Sequence, residues 1–289
     1  MTTKLRADLV QLNARQWRLI GHDGVCCTLE GPPERWLRGA PMEDLDAVLE
    51  QMLDDRRQMK PSRLLGCVLL IGGGQLAAET ALALAQSGVN VQISAPEVAQ
   101  TPLDPLGSFT SAAAAMCAWV YSRCPDAQLQ IGPHWTAVQP HSVDLIIVAT
   151  ATIQPDRAIT DHLSRHWLPH LVVRAHHDCA TIGPLVDHQG GPCLACLDLT
   201  MADHDELWPA TLAALTGRPA QPEPMTARWA GVQTALEASW FLQGAGTTLR
   251  ASTVEIDSSH TGVARRRWES HPDCSCSTGA SGAVLARAA

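Results

Sequence analysis

Four cysteines constrain this chain more than any other feature. Cys193 and Cys196 form one pair, and Cys274 and Cys276 form another far along the chain. Cys-x-x-Cys joined to a distant second cysteine pair is the layout of a tetrahedral thiolate zinc site. Any fold must therefore bring residues 193–196 and 274–276 to one point. A closed four-sulfur site leaves no open position for water or substrate, so the expected Zn²⁺ is a structural staple. His271, three residues before Cys274, reads as a structural neighbour of the site and not as a ligand.

With 289 residues the chain has room for one large or two modest domains, and 46% apolar residues supply a core. The net charge of -8 is unevenly spread. Residues 1–63 carry ten Lys/Arg and ten Asp/Glu, so the rest of the chain holds the whole deficit. An acidic chain does not fit sequence-independent nucleic-acid binding, which needs a positive face. Arg265-Arg266-Arg267 is the one basic run and reads as a solvated strand edge. No apolar run is long enough to span a bilayer, and the first residues lack an apolar signal segment. Ten cysteines in such a chain read as reduced thiols and metal ligands, which implies a cytoplasmic protein.

Residues 9–12, 17–20 and 25–29 read as three short strands, followed by a helical face at Leu45, Val48, Leu49 and Met52. This makes residues 1–60 a small α+β module. The charged stretch 54–63 is a linker. Cys67 to Ile71 is a continuous apolar run suited to a buried parallel strand. Gly72-Gly73-Gly74, an alanine-rich helix to Gln86 and a strand from Val89 to Ile93 complete a βαβ unit. Glycines there let a backbone approach a phosphate, and the helix N-terminus offers free N–H groups. Further strands are expected at 128–131, 143–149, 171–175, 180–186, 252–256 and 262–268. Helices are expected at 112–120, 155–166, 206–215 and 227–243. His176-His177-Asp178-Cys179 is a tempting cluster, but adjacent strand residues point to opposite faces, so the two histidines are not expected to share a metal. The tail 277–289 is Ala/Gly/Ser-rich and is expected to be disordered.

The strand, glycine turn, helix, strand order followed by two cysteine pairs resembles the ThiF/MoeB superfamily. Pro169-His170-Leu171, Gly183-Pro184-Leu185, the run from Pro192 to Leu199, the run from Asp203 to Pro209, and the run from His271 to Cys276 are similar to one branch of it. That branch comprises the ThiF-like partner proteins of azole-forming ribosomal peptide pathways. The resemblance covers residues 64–276. It implies an α/β fold: a doubly wound, mostly parallel sheet of ThiF type, a zinc-stapled C-terminal extension and a small winged-helix-like N-terminal module. It also implies a homodimer, a precursor leader peptide and a YcaO-type cyclodehydratase as partners. A leader would add a strand to the module's sheet edge beside its helix, so Val25, Cys27, Leu29, Leu45 and Leu49 are the candidate groove residues. Trp17 and Trp36 are further candidates for that interface.

Departures from the resemblance bear on activity. Active members of the superfamily carry Gly-x-Gly-Gly-x-Gly, where this chain has Gln75 and Ala77 at the fourth and sixth positions. Ser94 stands where they place an aspartate for ribose, and Ala151 where they place one that manages magnesium. Residues 97–110 contain none of the Arg, Lys or Asn that meet phosphates. Preorganised charge is the largest catalytic factor in such chemistry, and losing one such group costs about 10²–10³ in rate. Gly72, Gly73 and Gly74 thus read as a vestigial nucleotide turn, with ATP not expected as a cofactor, and the chain as a non-catalytic scaffold. Two alternatives remain: an active adenylating enzyme of the ThiF/MoeB type, and a dinucleotide-dependent oxidoreductase.

Overall fold

A computed structural model describes residues 7–13, 15–21, 26–31, 47–49, 51–52, 66–95, 111–259 and 262–276. The chain divides into two compact units, Met1–Arg63 and Leu64–Ala289. In the first, β1 (Ala7–Asn13), β2 (Gln16–Gly21) and β3 (Cys26–Glu30) form an antiparallel sheet in the order β1-β2-β3. Residues 47–49 and 51–52 are helical, as the spacing of Val48, Leu49 and Met52 predicts. Leu19 and Leu49 are buried.

The second unit is built on an eight-stranded sheet. Its strands are β4 (Cys67–Ile71), β5 (Asn90–Ser94), β6 (Leu129–Ile131), β7 (Leu145–Val148), β8 (His170–His176), β9 (Cys179–Val186), β10 (Ser252–Asp257) and β11 (Gly262–Arg267). Their order is β11-β10-β9-β8-β7-β4-β5-β6. From β8 to β6 every neighbouring pair is parallel, whereas β8, β9, β10 and β11 pair antiparallel. The sheet is therefore mixed and mostly parallel. β11 ends it, with all six residues exposed, which is where a run of three arginines is stable.

Alternation along the apolar strands explains the two covered faces. Val68, Leu70, Leu145 and Ile147 point into one core, and Leu69, Ile71, Ile146 and Val148 into another. Helices α1 (Gly74–Gln86) and α2 (Ala112–Tyr121) cover the first face. Helix α3 (Arg157–Arg165) covers the second through Ile159 and Leu163. Three more helices follow: α4 (Leu194–His204), α5 (Trp208–Thr216) and α6 (Pro224–Leu242). α6 packs on α1 so closely that a Cβ at Gly231 would sit 2.8 Å from the Glu79 backbone. The composition of α1 permits this approach, since Ala77, Ala78 and Ala81 present little bulk.

The element pattern expected from sequence is largely present, with one addition. Residues 194–204, directly after Cys193, form a helix that the sequence pattern does not predict. The helix expected at 206–215 begins at Trp208, behind a turn in which Asp205 accepts the Leu207 N–H. Residues 277–289, the 54–63 linker and Trp36 lie outside the described residues.

His170 opens β8 and is fully buried. Its Nδ1 donates to the Leu168 carbonyl at 2.8 Å. Burial pulls its pKa from 6.5 to about 4. The unfolded chain takes up this proton near pH 6.5, and the folded chain only near pH 4. Its contribution is thus intact above pH 6.5 and declines as pH falls towards 4. At about 1.4 kcal/mol per pH unit the loss is on the order of 3 kcal/mol. Urea melts at pH 7 and pH 4.5 are expected to show this decline. His170→Asn, which keeps a donor for Leu168, is expected to make it shallower.

Candidate functional site

The parallel half of the sheet creates a cavity by topology. The strand order reverses at β4, with β5 and β6 on one side of it and β7 and β8 on the other, and ligands in open α/β sheets bind at such a switch point. A cavity of about 540 Å³ lies there, at the C-terminal ends of β4, β5 and β7. Gly72, Gly73 and Gly74 form part of its wall, with Ser94, Ala112, Trp135, Thr150, Ala151, Asp156 and Pro219 among the others.

The three glycines have different reasons to be there. Gly72 has φ 141°, and a Cβ on it would meet the Ala149 carbonyl oxygen at 2.0 Å. Gly74 has φ 82°, in the left-handed region. Gly73 has an extended backbone (φ -140°, ψ 178°), and nothing lies within 4 Å of a Cβ there. Folding the β4–α1 turn thus requires Gly72 and Gly74 whether or not a nucleotide binds. Among the described residues no side chain caps the α1 N-terminus, whose N-cap is Gly73.

The cavity lining contains no Lys or Arg among the described residues. Ser94 and Ala151, the two positions that the sequence resemblance matches to aspartates, both line it. The one carboxylate in the described lining is Asp156, which caps α3 by accepting the Ala158 N–H at 2.9 Å. The cation nearest in sequence is committed elsewhere. Arg157 donates through Nε and Nη2 to both carboxylate oxygens of Asp198, at 2.6 and 2.9 Å. It also donates to the Pro155 carbonyl and to Gln154 Oε1. Gln154 Oε1 accepts from Arg174 as well, at 3.1 Å. Burial lowers the Arg174 pKa to about 10, which leaves it a cation at neutral pH.

The four predicted cysteines do come together. Cys193 and Cys196 flank the start of α4, and Cys274 and Cys276 arrive from beyond β11. Three are buried and Cys276 is half-buried. The sulfurs lie 3.6 Å apart for Cys193–Cys274, 3.3 Å for Cys196–Cys276 and 3.9 Å for Cys193–Cys196. Zn–S bonds of about 2.3 Å in a tetrahedron give S···S edges of about 3.8 Å, so the cluster fits a structural metal ion. The thiol of Cys193 donates to Cys196 and draws its pKa down, while burial raises that of Cys276. A bound cation supplies the charge that lets the other thiols ionise. His271 is not in the cluster: its Nε2 lies 2.9 Å from Asp203 Oδ2.

The Arg157–Asp198 pair does not follow from the sequence pattern. Its one signal is the acid in Cys196-Leu197-Asp198, two residues past the second cysteine. Asp198 also accepts from Trp208 Nε1 at 3.3 Å, so one carboxylate ties α3, α4 and α5 together. His134 and Trp135 reach the cavity without any local sequence signal.

The histidine cluster needs a correction. His177 has φ 50° in the β8–β9 turn, and its ring centroid lies 4.0 Å from that of His176. The two rings meet because a turn, not a strand, presents His177. His176 Nδ1 accepts the Gln221 N–H, and burial followed by Asp178 keeps the Cys179 thiol above its usual pKa. Cys179 is therefore a poor nucleophile. Of the candidate groove residues, Leu29 is half-buried in β3 and Leu49 is buried. Trp17, in β2, is half-buried and stands opposite Leu29. Cys27 lies in β3, a terminal strand of its sheet among the described residues. Val25 and Leu45 lie outside the described residues.

Residues 66–184 match the family model described as "Putative NAD(P)-binding". No curated protein matches the chain. Among solved structures, E. coli MccB with ATP is 13% identical over 94% of this chain and 97% of its own, with a TM-score of 0.57. The microcin C7 biosynthetic enzyme MccB in complex with N-formylated MccA is 12% identical over the same shares, with a TM-score of 0.59. The heterocyclase TruD is 17% identical over 94% of this chain and 42% of its own, with a TM-score of 0.52. At these identities the likeness is one of fold.

Metal analysis is expected to find one ion per chain, lost in Cys196→Ser with a large drop in thermal stability. Gly72→Ala is expected to cost about 3 kcal/mol or more, because the obstruction is backbone, while Gly73→Ala leaves the melting temperature nearly unchanged.

Proposed function

We propose that this chain is a non-catalytic ThiF-like scaffold of ribosomal peptide natural product biosynthesis. It binds a precursor's leader peptide through its N-terminal unit and presents the core to a YcaO-type cyclodehydratase. That partner supplies ATP-dependent activation of the peptide backbone. Zn²⁺ at Cys193, Cys196, Cys274 and Cys276 holds the second unit's C-terminal segment to α4 and takes no part in chemistry. The scaffold works as a homodimer.

One observation carries the reading. The cavity keeps its glycine turn, yet its described lining holds no Lys or Arg and has Ala151 and Ser94 in place of two acids. Adenylation places a polyanion at this position and builds more charge at the α-phosphate, and among the described lining residues there is no Lys or Arg to meet it. The shared fold with MccB and TruD supports a peptide-processing context. For recruitment, β3 is a terminal strand, and strand addition takes affinity from backbone hydrogen bonds. One specific observation favours a second reading, an active adenylating enzyme. The cavity has room for a ligand of nucleotide size, and MccB, which shares the fold, is known in a crystal structure with ATP.

The recruitment claim is tested by titrating the leader of a candidate precursor peptide against the intact protein and against residues 64–289. Binding to the intact chain with at least tenfold loss on deletion is expected. Equal affinity for both would refute the assigned site.

A further inference from the structure

We propose that the cavity at Gly72–Gly74 is a site for uncharged, ring-bearing small molecules and discriminates against phosphorylated ones. This reverses the preference that a glycine turn ordinarily signals. It rests on the reading that triphosphate chemistry has left the cavity, and goes beyond it by naming what the remaining walls fit.

Size comes first. About 540 Å³ falls within the range of ordinary small-molecule sites, roughly 300–1,000 Å³. Such sites combine apolar walls with a few polar groups that orient the ligand. Here Ile71, Ile159 and Pro219 give the apolar walls, and the hydroxyls of Thr150 and Thr152 lie 3.0 Å apart at the rim. Trp135 is a pre-set aromatic wall. It meets His162 edge-on at 5.1 Å between ring centroids and His134 at 5.2 Å. A ring held on both sides loses little freedom when a ligand ring packs against it.

Charge decides the class. Asp156 adds a carboxylate to the lining at its exposed side, oriented by its bond to the Ala158 N–H. Arg157 next to it is held by Asp198. The uncapped N-terminus of α1 supplies only about half a positive charge, far less than a polyphosphate carries. An uncharged ring meets none of this opposition, and each added phosphate meets more.

The test holds the ring constant and raises the charge. Adenosine, AMP and ATP with Mg²⁺ are titrated calorimetrically into the intact 289-residue chain at low salt. Adenosine is expected to bind most tightly, AMP less, and ATP at least tenfold more weakly than adenosine. Ala151→Trp, which fills the cavity from an exposed position, is expected to abolish adenosine binding. Thr216→Arg at the cavity wall is expected to raise ATP affinity relative to adenosine. ATP binding as tightly as adenosine, no adenosine binding at millimolar concentration, or undiminished binding by the filled variant would each overturn the proposal. Failure of adenosine to bind in a chain that also forms no acyl-adenylate sinks this inference alone. Tight ATP binding with acyl-adenylate formation sinks the scaffold reading as well.

Discussion

The close approach of Gly72 to the Ala149 carbonyl is the contact on which the rest of the second unit depends. β4 turns into α1 directly over the end of β7, with no space for a side chain between them. Packing alone is therefore enough to require the glycine at this turn. Charged groups around the cavity are under no such constraint, because Ser94 and Ala151 satisfy the backbone as well as aspartates would. A chain can thus lose triphosphate chemistry and keep its glycines, and a glycine motif reports on fold before it reports on ligand.

The cysteine cluster and the Arg157–Asp198 pair belong to one structural device. α4 starts at the cysteines and carries Asp198 one turn further on. Asp198 engages Arg157 at the start of α3, beside the cavity, and the pair is mostly shielded from solvent. Removing either partner would leave an uncompensated charge, which is strongly destabilising. The arginine that follows Asp156 in sequence is thereby fixed to the helix that starts at the cysteine cluster.

Periodicity makes most of the second unit legible in the sequence. Cys67–Ile71 and Leu145–Val148 are uniformly apolar because both their faces are covered, which is the mark of a buried parallel strand. The cysteine spacing by itself pairs residues 193–196 with 274–276. α4 is not legible, because Leu194, Cys196 and Leu197 are placed by the sulfur cluster and show no simple amphipathic stripe. The meeting of His176 and His177 is hidden by a positive φ at a residue other than glycine, which sequence does not announce. His134 and Trp135 reach the cavity through the β6–β7 connection, a long-range placement that local pattern does not encode.

Whether the cavity at Gly72–Gly74 supports triphosphate chemistry is open to one direct measurement. ATP–pyrophosphate exchange is followed for the purified chain alone, with Mg²⁺ and its precursor peptide. No exchange above background and no acyl-adenylate are predicted, with ATP turnover emerging only when a cyclodehydratase partner is added. Robust exchange by the chain by itself would contradict the scaffold reading.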